Sequence, residues 1–122
     1  MKRDFDLIRE ILLRVEQVDP EEPYIFRWEI DGYSEPVVLE HVKLLIDAGY
    51  VEGNYELSTA YHVMGTIVSR LTMKGHDFLD TMRDDTVWNR TKSKIQKATG
   101  TTSLEIVKEV AASIARTMIL GS

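Results

Sequence analysis

Two neighbouring stretches in the middle of the chain restrict its fold more than any other feature. They are "YVEGNYELS" (residues 50–58) and "YHVMGTIVSRLT" (residues 61–72). Both are rich in aromatic and β-branched residues, which favour strands. Because only a short turn near Ser58–Ala60 separates them, we predict an antiparallel β-ribbon. With helical segments on both sides of this ribbon, the chain is predicted to belong to the α+β class.

The residues before the ribbon predict a helix and then a strand. The first segment, "DFDLIREILLRVEQ", has apolar residues at helical spacing: Phe5, Ile8, Leu12 and Val15, joined by Leu7 and Ile11. Asp4 is suited to cap its N-terminus. The prolines of "DPEEP" end this helix, and the alternating "YIFRWEI" (residues 24–30) predicts a strand.

A second helix is predicted from Ser34, with Pro36 in its first turn, where a missing N–H has no cost. Gly49 is a suitable C-terminal cap. The predicted buried stripe consists of Val38, Leu39, Val42, Leu45 and Ile46.

The ribbon is followed by further helical segments. Thr72 is predicted to cap "MKGHDFLDTMRD", and Asp85 to cap the continuation "TVWNRTKSKIQK". Thr102 and Glu105 form a capping-box pattern at the start of the last helix. The predicted seam of that helix is Leu104, Val107, Ala111, Ile114 and Met118. We expect a domain over residues 1–100 and a C-terminal helix over residues 101–122.

Two local patterns carry a resemblance to known families. The stretch "LEHVKLLIDAGYVEG" resembles the part of ArsR-like and MarR-like repressors where the recognition helix leads into the wing, and "RLTMKGHDFLD" resembles the L-T-x-x-G signature that follows the wing. Together with "MKRDFDLIREILL" and "RDDTVW", they identify the chain as a member of a family catalogued as domain of unknown function 2513.

The resemblance implies a winged-helix-like fold: helix, strand, helix, β-ribbon wing and helix, with the additional C-terminal helix. It also implies an association with phages and prophages, but no established activity. The chain departs from DNA-binding winged helices in the helix-turn-helix region. About five residues, Asp31 to Glu35, separate the predicted strand from the recognition helix. Either the first helix of a helix-turn-helix is reduced to a single turn, or this part of the fold has been rebuilt for another purpose.

Composition excludes several classes of protein. The 122 residues contain no cysteine, so disulfides, thiolate metal sites and cysteine nucleophiles are ruled out. No apolar run approaches the roughly 20 residues that span a bilayer. The N-terminus "MKRDFDLIRE" has no apolar signal core, and we expect a cytoplasmic protein without membrane association.

One segment concentrates residues that could form a catalytic or metal site, namely His76, Asp77, Asp80 and Asp84. The carboxylates are favourable near the N-terminus of a helix. His76 and Asp80 are four residues apart and could bind a metal together, but two ligands do not complete a metal site. The other histidines, His41 and His62, form no HxxxH or HExxH pattern. We found no nucleophile elbow or phosphate-binding glycine loop, so we expect no catalytic residues, metal or cofactor.

The predicted recognition helix has an acidic outer face, formed by Glu35, Glu40, Lys43 and Asp47. Glu52 and Glu56 make the first ribbon strand acidic as well. Because DNA phosphates attract cations and repel carboxylates, this acidic face is predicted to bind a protein partner rather than DNA. The alternative is a DNA-binding transcriptional regulator. For that function the predicted backbone contacts are Arg90, Lys92, Lys94 and Lys97.

The C-terminal seam leaves two alternatives open. Its residues pack either on the first helix of the same chain or on a second copy, which would form a homodimer. The aromatic residues of the first half would include a binding patch if some of them are exposed: Tyr24, Phe26, Trp28, Tyr33, Tyr50, Tyr55 and Tyr61. Alternation alone does not indicate which of them face outward.

Overall fold

The computed structural model describes residues 1–19, 21–22, 24–25, 27–97 and 103–121, and it combines helices and strands as the α+β prediction requires. The chain forms two compact units, Met1–His76 and Asp77–Ser122. The division therefore falls after His76, within a helix. The predicted boundary after residue 100 lies outside the described residues.

The first unit contains all the strands. Its elements are α1 (Phe5–Glu16), β1 (Tyr24–Ile25), α2 (Glu35–Asp47), β2 (Val51–Leu57) and β3 (Val63–Leu71), followed by the start of α3 (Met73–Met82). The three strands form one antiparallel sheet in the order β1-β3-β2. The predicted ribbon is confirmed as β2 and β3. Its turn is closed by the Ser58 hydroxyl, which accepts hydrogen bonds from the backbone N–H groups of Ala60 and His62.

The core of the first unit is built from the apolar faces of α1 and α2. Fully or almost fully buried side chains on these helices are Leu7, Ile8, Ile11, Leu12, Val15, Val38, Leu39, Val42 and Leu45. The periodicity of the sequence predicted both faces correctly, apart from Phe5 and Ile46, which are only partly buried. Val51, Val68 and Leu71 are the corresponding buried residues of the sheet.

Among the described residues of this segment, β1 pairs with β3 at Tyr24 and Ile25, and the predicted strand over residues 24–30 was wrong at residues 27–30. Residues 27–30 form neither strand nor helix, but Trp28 and Ile30 are buried. The Trp28 indole Nε1 donates a hydrogen bond to Thr66 Oγ1 on β3 at 3.0 Å. The alternation of this segment therefore reflects side-chain burial rather than backbone pairing.

A buried histidine joins the two helices of the first unit. His41 on α2 has no exposed surface, and both of its ring nitrogens are hydrogen-bonded. Nε2 accepts from the backbone N–H of Asp4 at 2.9 Å, and Nδ1 lies 2.8 Å from the carbonyl oxygen of Val37. The Asp4 carboxylate caps α1 at Leu7 and accepts a second hydrogen bond from the Tyr33 hydroxyl. His41 is thus a structural residue that positions the start of α1.

The second unit contains the rest of α3, then α4 (Asp85–Lys97) and α5 (Leu104–Leu120). Asp84, rather than the predicted Asp85, caps α4 by accepting a hydrogen bond from the backbone N–H of Val87 at 3.0 Å. Ser103 caps α5 at Ile106, and the predicted cap Thr102 lies outside the described residues. Val87 of α4 forms a buried cluster with Ala111 and Ile114 of α5. In the ranges that the structure describes, no helix is long and apolar enough to cross a membrane.

Candidate functional site

The outer face of α2 meets β2 in a polar cluster. Lys43 Nζ lies 2.7 Å from Asp47 Oδ2, at the i, i+4 spacing that brings helical side chains together. The Tyr55 hydroxyl of β2 donates a hydrogen bond to Asp47 Oδ1, also at 2.7 Å. Lys43 Nζ is 5.2 Å from the centre of the Tyr55 ring, within the range of a cation–π contact. We call these three residues, together with Glu35 and Glu40, the head surface.

These contacts favour the charged forms of the ion pair. The hydrogen bond from Lys43 and then that from Tyr55 lower the pKa of Asp47. The hydrogen bond to Asp47 raises the pKa of Lys43 and is also the main cause of the raised pKa of Tyr55. Asp47 therefore stays ionised, Lys43 stays protonated and Tyr55 stays neutral near pH 7.

The head surface as a whole is acidic. Glu35 is exposed and Glu40 is partly exposed, while Lys43 is the only lysine or arginine on α2. Because the Lys43 ammonium is held by Asp47, the remaining charge of the face comes from carboxylates. On the neighbouring ribbon, Glu56 is exposed and Glu52 lies 3.5 Å from Arg70. The surface is suited to accept hydrogen bonds and ion pairs from cationic groups.

The four basic residues of α4 do not form one set. Arg90, Lys94 and Lys97 are spaced i, i+4 and i+7, so they lie along one face of the helix. Lys92 is directed elsewhere, with its Nζ 5.8 Å from the centre of the Trp88 ring. Arg90 and Lys94 line an open groove between α4 and α5, together with Ser113, Ile114 and Thr117.

The C-terminal seam is largely buried within the chain. Val107 and Ala111 have no exposed surface, and Ile114 is 8% exposed. Within the second unit, α5 packs on α4. Leu104 is partly buried and Met118 is 42% exposed, so these two ends of the seam keep free surface. Homodimerisation through α5 stays a prediction.

The segment with three aspartates and a histidine is divided between two helices. α3 ends at Met82, and Asp84 caps α4, so Asp84 does not continue the face of Asp77 and Asp80. Asp80 pairs with Arg83 at 3.0 Å. In the described part of the chain, no three His, Asp or Glu side chains are grouped so that they could hold a metal ion.

Sequence reasoning missed three residues of these surfaces. Tyr55 was recognised as a ribbon aromatic, but its partner Asp47 depends on which strand face meets α2, and that in turn depends on strand register. Ser113 and Thr117 carry no motif, and their proximity to Arg90 and Lys94 follows from the packing of α5 on α4.

Comparison with known proteins gives a family but no activity. The family model described as "Hypothetical protein (DUF2513)" matches residues 2–102. An uncharacterized protein of Haemophilus influenzae is 37% identical over 120 residues, which cover 98% of this chain and 99% of that protein. No solved structure matches. Since the family model and this relative each cover most of the sequence, the chain belongs to the DUF2513 family.

Proposed function

We propose that this protein is a non-enzymatic interaction module that binds a protein partner through the head surface of a winged-helix-like scaffold. The proposal includes a cytoplasmic location and an accessory role of the phage or prophage type, as the family resemblance implies. The scaffold assignment is supported by the order helix, strand, helix and ribbon, with β1 added to the ribbon beside β3.

The observation that carries the proposal is the pairing of Lys43 with Asp47. Major-groove recognition uses Arg, Lys, Asn or Gln side chains that reach base edges. Lys43 is the only such residue between Glu35 and Asp47, and it is already paired. The same face presents Glu35 and Glu40, which would be repelled by phosphates. A protein partner with a basic surface fits these charges better.

The missing helix supports the same conclusion. A helix-turn-helix requires a helix before the recognition helix. Residues 27–34 contain none, and they lead directly from the β1 region to α2. The alternative, a DNA-binding transcriptional regulator, would therefore have to recognise DNA through an element other than a helix-turn-helix.

The test is affinity capture from a bacterial lysate with a head variant and a matched control. Glu35→Lys with Glu40→Lys reverses two charges of the head surface. Glu21→Lys with Glu22→Lys makes the same change at two exposed positions of the same unit. A specific protein that is retained by the wild type and the control but lost by the head variant is the expected result.

Two outcomes would contradict the proposal. One is that the head variant captures the same proteins as the wild type. The other is binding to a DNA duplex that Lys43→Ala weakens while substitutions on α4 do not, because α2 would then be reading DNA as the regulator alternative requires.

A further inference from the structure

We infer that the groove between α4 and α5 in the second unit binds phosphate groups of a nucleic-acid backbone. Two cations from α4, Arg90 and Lys94, line the groove opposite two hydroxyl residues of α5, Ser113 and Thr117, with Ile114 between them. The groove has a volume of about 320 Å³. Cations and hydroxyls are the side chains that proteins commonly place against phosphate oxygens.

The cations of this groove are not engaged elsewhere, in contrast to several cations of the first unit. Arg14 pairs with Glu10, Lys43 with Asp47 and Arg70 with Glu52. Among the described residues, the side chains of Arg90 and Lys94 have neither a carboxylate within ion-pairing distance nor a hydrogen-bond partner. Their charges are therefore available to an external anion.

The hydroxyls add donors on the opposite wall. Within the described residues the Ser113 hydroxyl has no hydrogen-bond partner, so it can donate to a phosphate oxygen. Thr117 Oγ1 donates to the carbonyl oxygen of Ser113 at 3.1 Å. Because a hydroxyl group rotates freely, Thr117 can exchange this bond for one to a ligand.

The helix dipole accounts for only some of the cations on the basic face of α4. Lys94 and Lys97 lie in the last turn of α4, where cations stabilise the helix dipole. Arg90 lies in the middle of the helix, where this effect is absent. The helix dipole therefore does not account for the cation at this position.

The shape of the surface favours a polymer over a small phosphorylated molecule. Small ligands usually bind in pockets that enclose most of their surface. This groove is open, and Arg90, Lys94, Ser113 and Thr117 are all exposed. Lys97 extends the basic face by a further turn, so three cations follow one another along about 10 Å of helix. Such a row matches the repeated charges of a nucleic-acid strand.

The site does not depend on the proposed function of the head surface. It uses only residues of the second unit and contacts phosphates, which carry no sequence information. We therefore expect binding without sequence preference and with a strong dependence on salt.

The experiment is fluorescence anisotropy with a labelled mixed-sequence duplex of about 20 base pairs, at several salt concentrations between about 50 and 200 mM. For the wild type, three phosphate contacts predict a slope of log K against log salt of about −2.7. Arg90→Gln with Lys94→Gln should weaken binding and reduce the slope by about 2. The control, Lys108→Gln with Arg116→Gln, removes the same charge from α5 outside the groove and should leave the slope unchanged.

Three results would overturn the inference. The first is no binding by the wild type even at the lowest salt, where phosphate contacts are strongest. The second is an equal loss in both double variants, which would indicate a general effect of net charge. The third is displacement of the duplex by inorganic phosphate far below millimolar concentration, which would indicate a small-ion site. Thermal unfolding of each variant establishes that it is folded.

Discussion

At the scale of single residues, the L-T-x-x-G segment is explained by contacts within the first unit. Leu71 is buried at the end of β3. The Thr72 hydroxyl accepts a hydrogen bond from the backbone N–H of Gly75 and donates one to the carbonyl oxygen of Gly49, so it caps α3 and holds the turn between α2 and β2. A Cβ atom at Gly75 would collide with the carbonyl oxygen of Tyr50. Each fixed residue of the pattern therefore has a physical role.

Gly75→Ala is expected to destabilise the protein despite the higher helix propensity of alanine. The gain from helix propensity is roughly 0.5–1 kcal/mol, whereas overpacking typically costs about 1–3 kcal/mol. The added Cβ atom would meet the backbone carbonyl oxygen of Tyr50, which cannot move aside as a flexible side chain could. Urea unfolding measures the difference. The control is Gly65→Ala on β3, where a Cβ atom meets nothing within 4 Å and no loss is expected. Equal stability of the two variants would contradict the close approach of Gly75 and Tyr50.

Tyr55 is expected to act on Asp47 through one hydrogen bond. Tyr55→Phe removes that bond, so the pKa of Asp47 should rise. In a separate variant, Lys43→Met should raise the pKa of Asp47 by more than Tyr55→Phe does, because Lys43 is the larger cause of the lowering. A carboxyl-detected NMR titration measures both changes. Since the pKa of Asp47 is lowered in the folded protein, its contribution to stability is present above the unfolded-state pKa and is lost as the pH falls through the folded-state value. An unchanged pKa in both variants would show that the cluster does not form in solution.

At the scale of secondary-structure elements, the start of α4 tests which of two adjacent aspartates is the cap. Asp84→Ala should lower the free energy of unfolding by about 1 kcal/mol, because Asp84 accepts the hydrogen bond from the N–H of Val87. Asp84→Asn should keep most of the stability, since asparagine is an equally good cap. Thermal unfolding compares the variants. If the asparagine variant loses as much as the alanine variant, the carboxylate charge matters more than the cap.

The helices were predictable from sequence to a greater extent than the strands or the sites. The apolar periods of α1 and α2 indicate their buried faces because a helix repeats within four residues. β1 was predicted too long, since alternation marks side-chain burial and does not show whether a backbone partner exists, as at Trp28. The Lys43–Asp47 pair follows from i, i+4 spacing. Tyr55 and Ser113 could not be assigned, because their neighbours are set by strand register and by helix packing.

At the scale of the whole molecule, charge is distributed unevenly between the two units. The acidic head surface belongs to Met1–His76, and the basic groove belongs to Asp77–Ser122. A net charge of −5 therefore describes neither surface. If both proposals hold, one chain binds a protein through one unit and a nucleic-acid backbone through the other.

Separate surfaces predict separate effects of substitution. Glu35→Gln with Glu40→Gln should weaken capture of the protein partner and leave the salt slope of duplex binding unchanged, because no phosphate contact is removed. Arg90→Gln with Lys94→Gln should reduce the slope and leave partner capture unchanged. The quadruple variant should show both effects, each as large as in its double variant, because sites that share no contacts act independently. A salt slope that changes when the head surface is neutralised would show that α2 contacts the nucleic acid, and the division of roles between the two units would then be wrong.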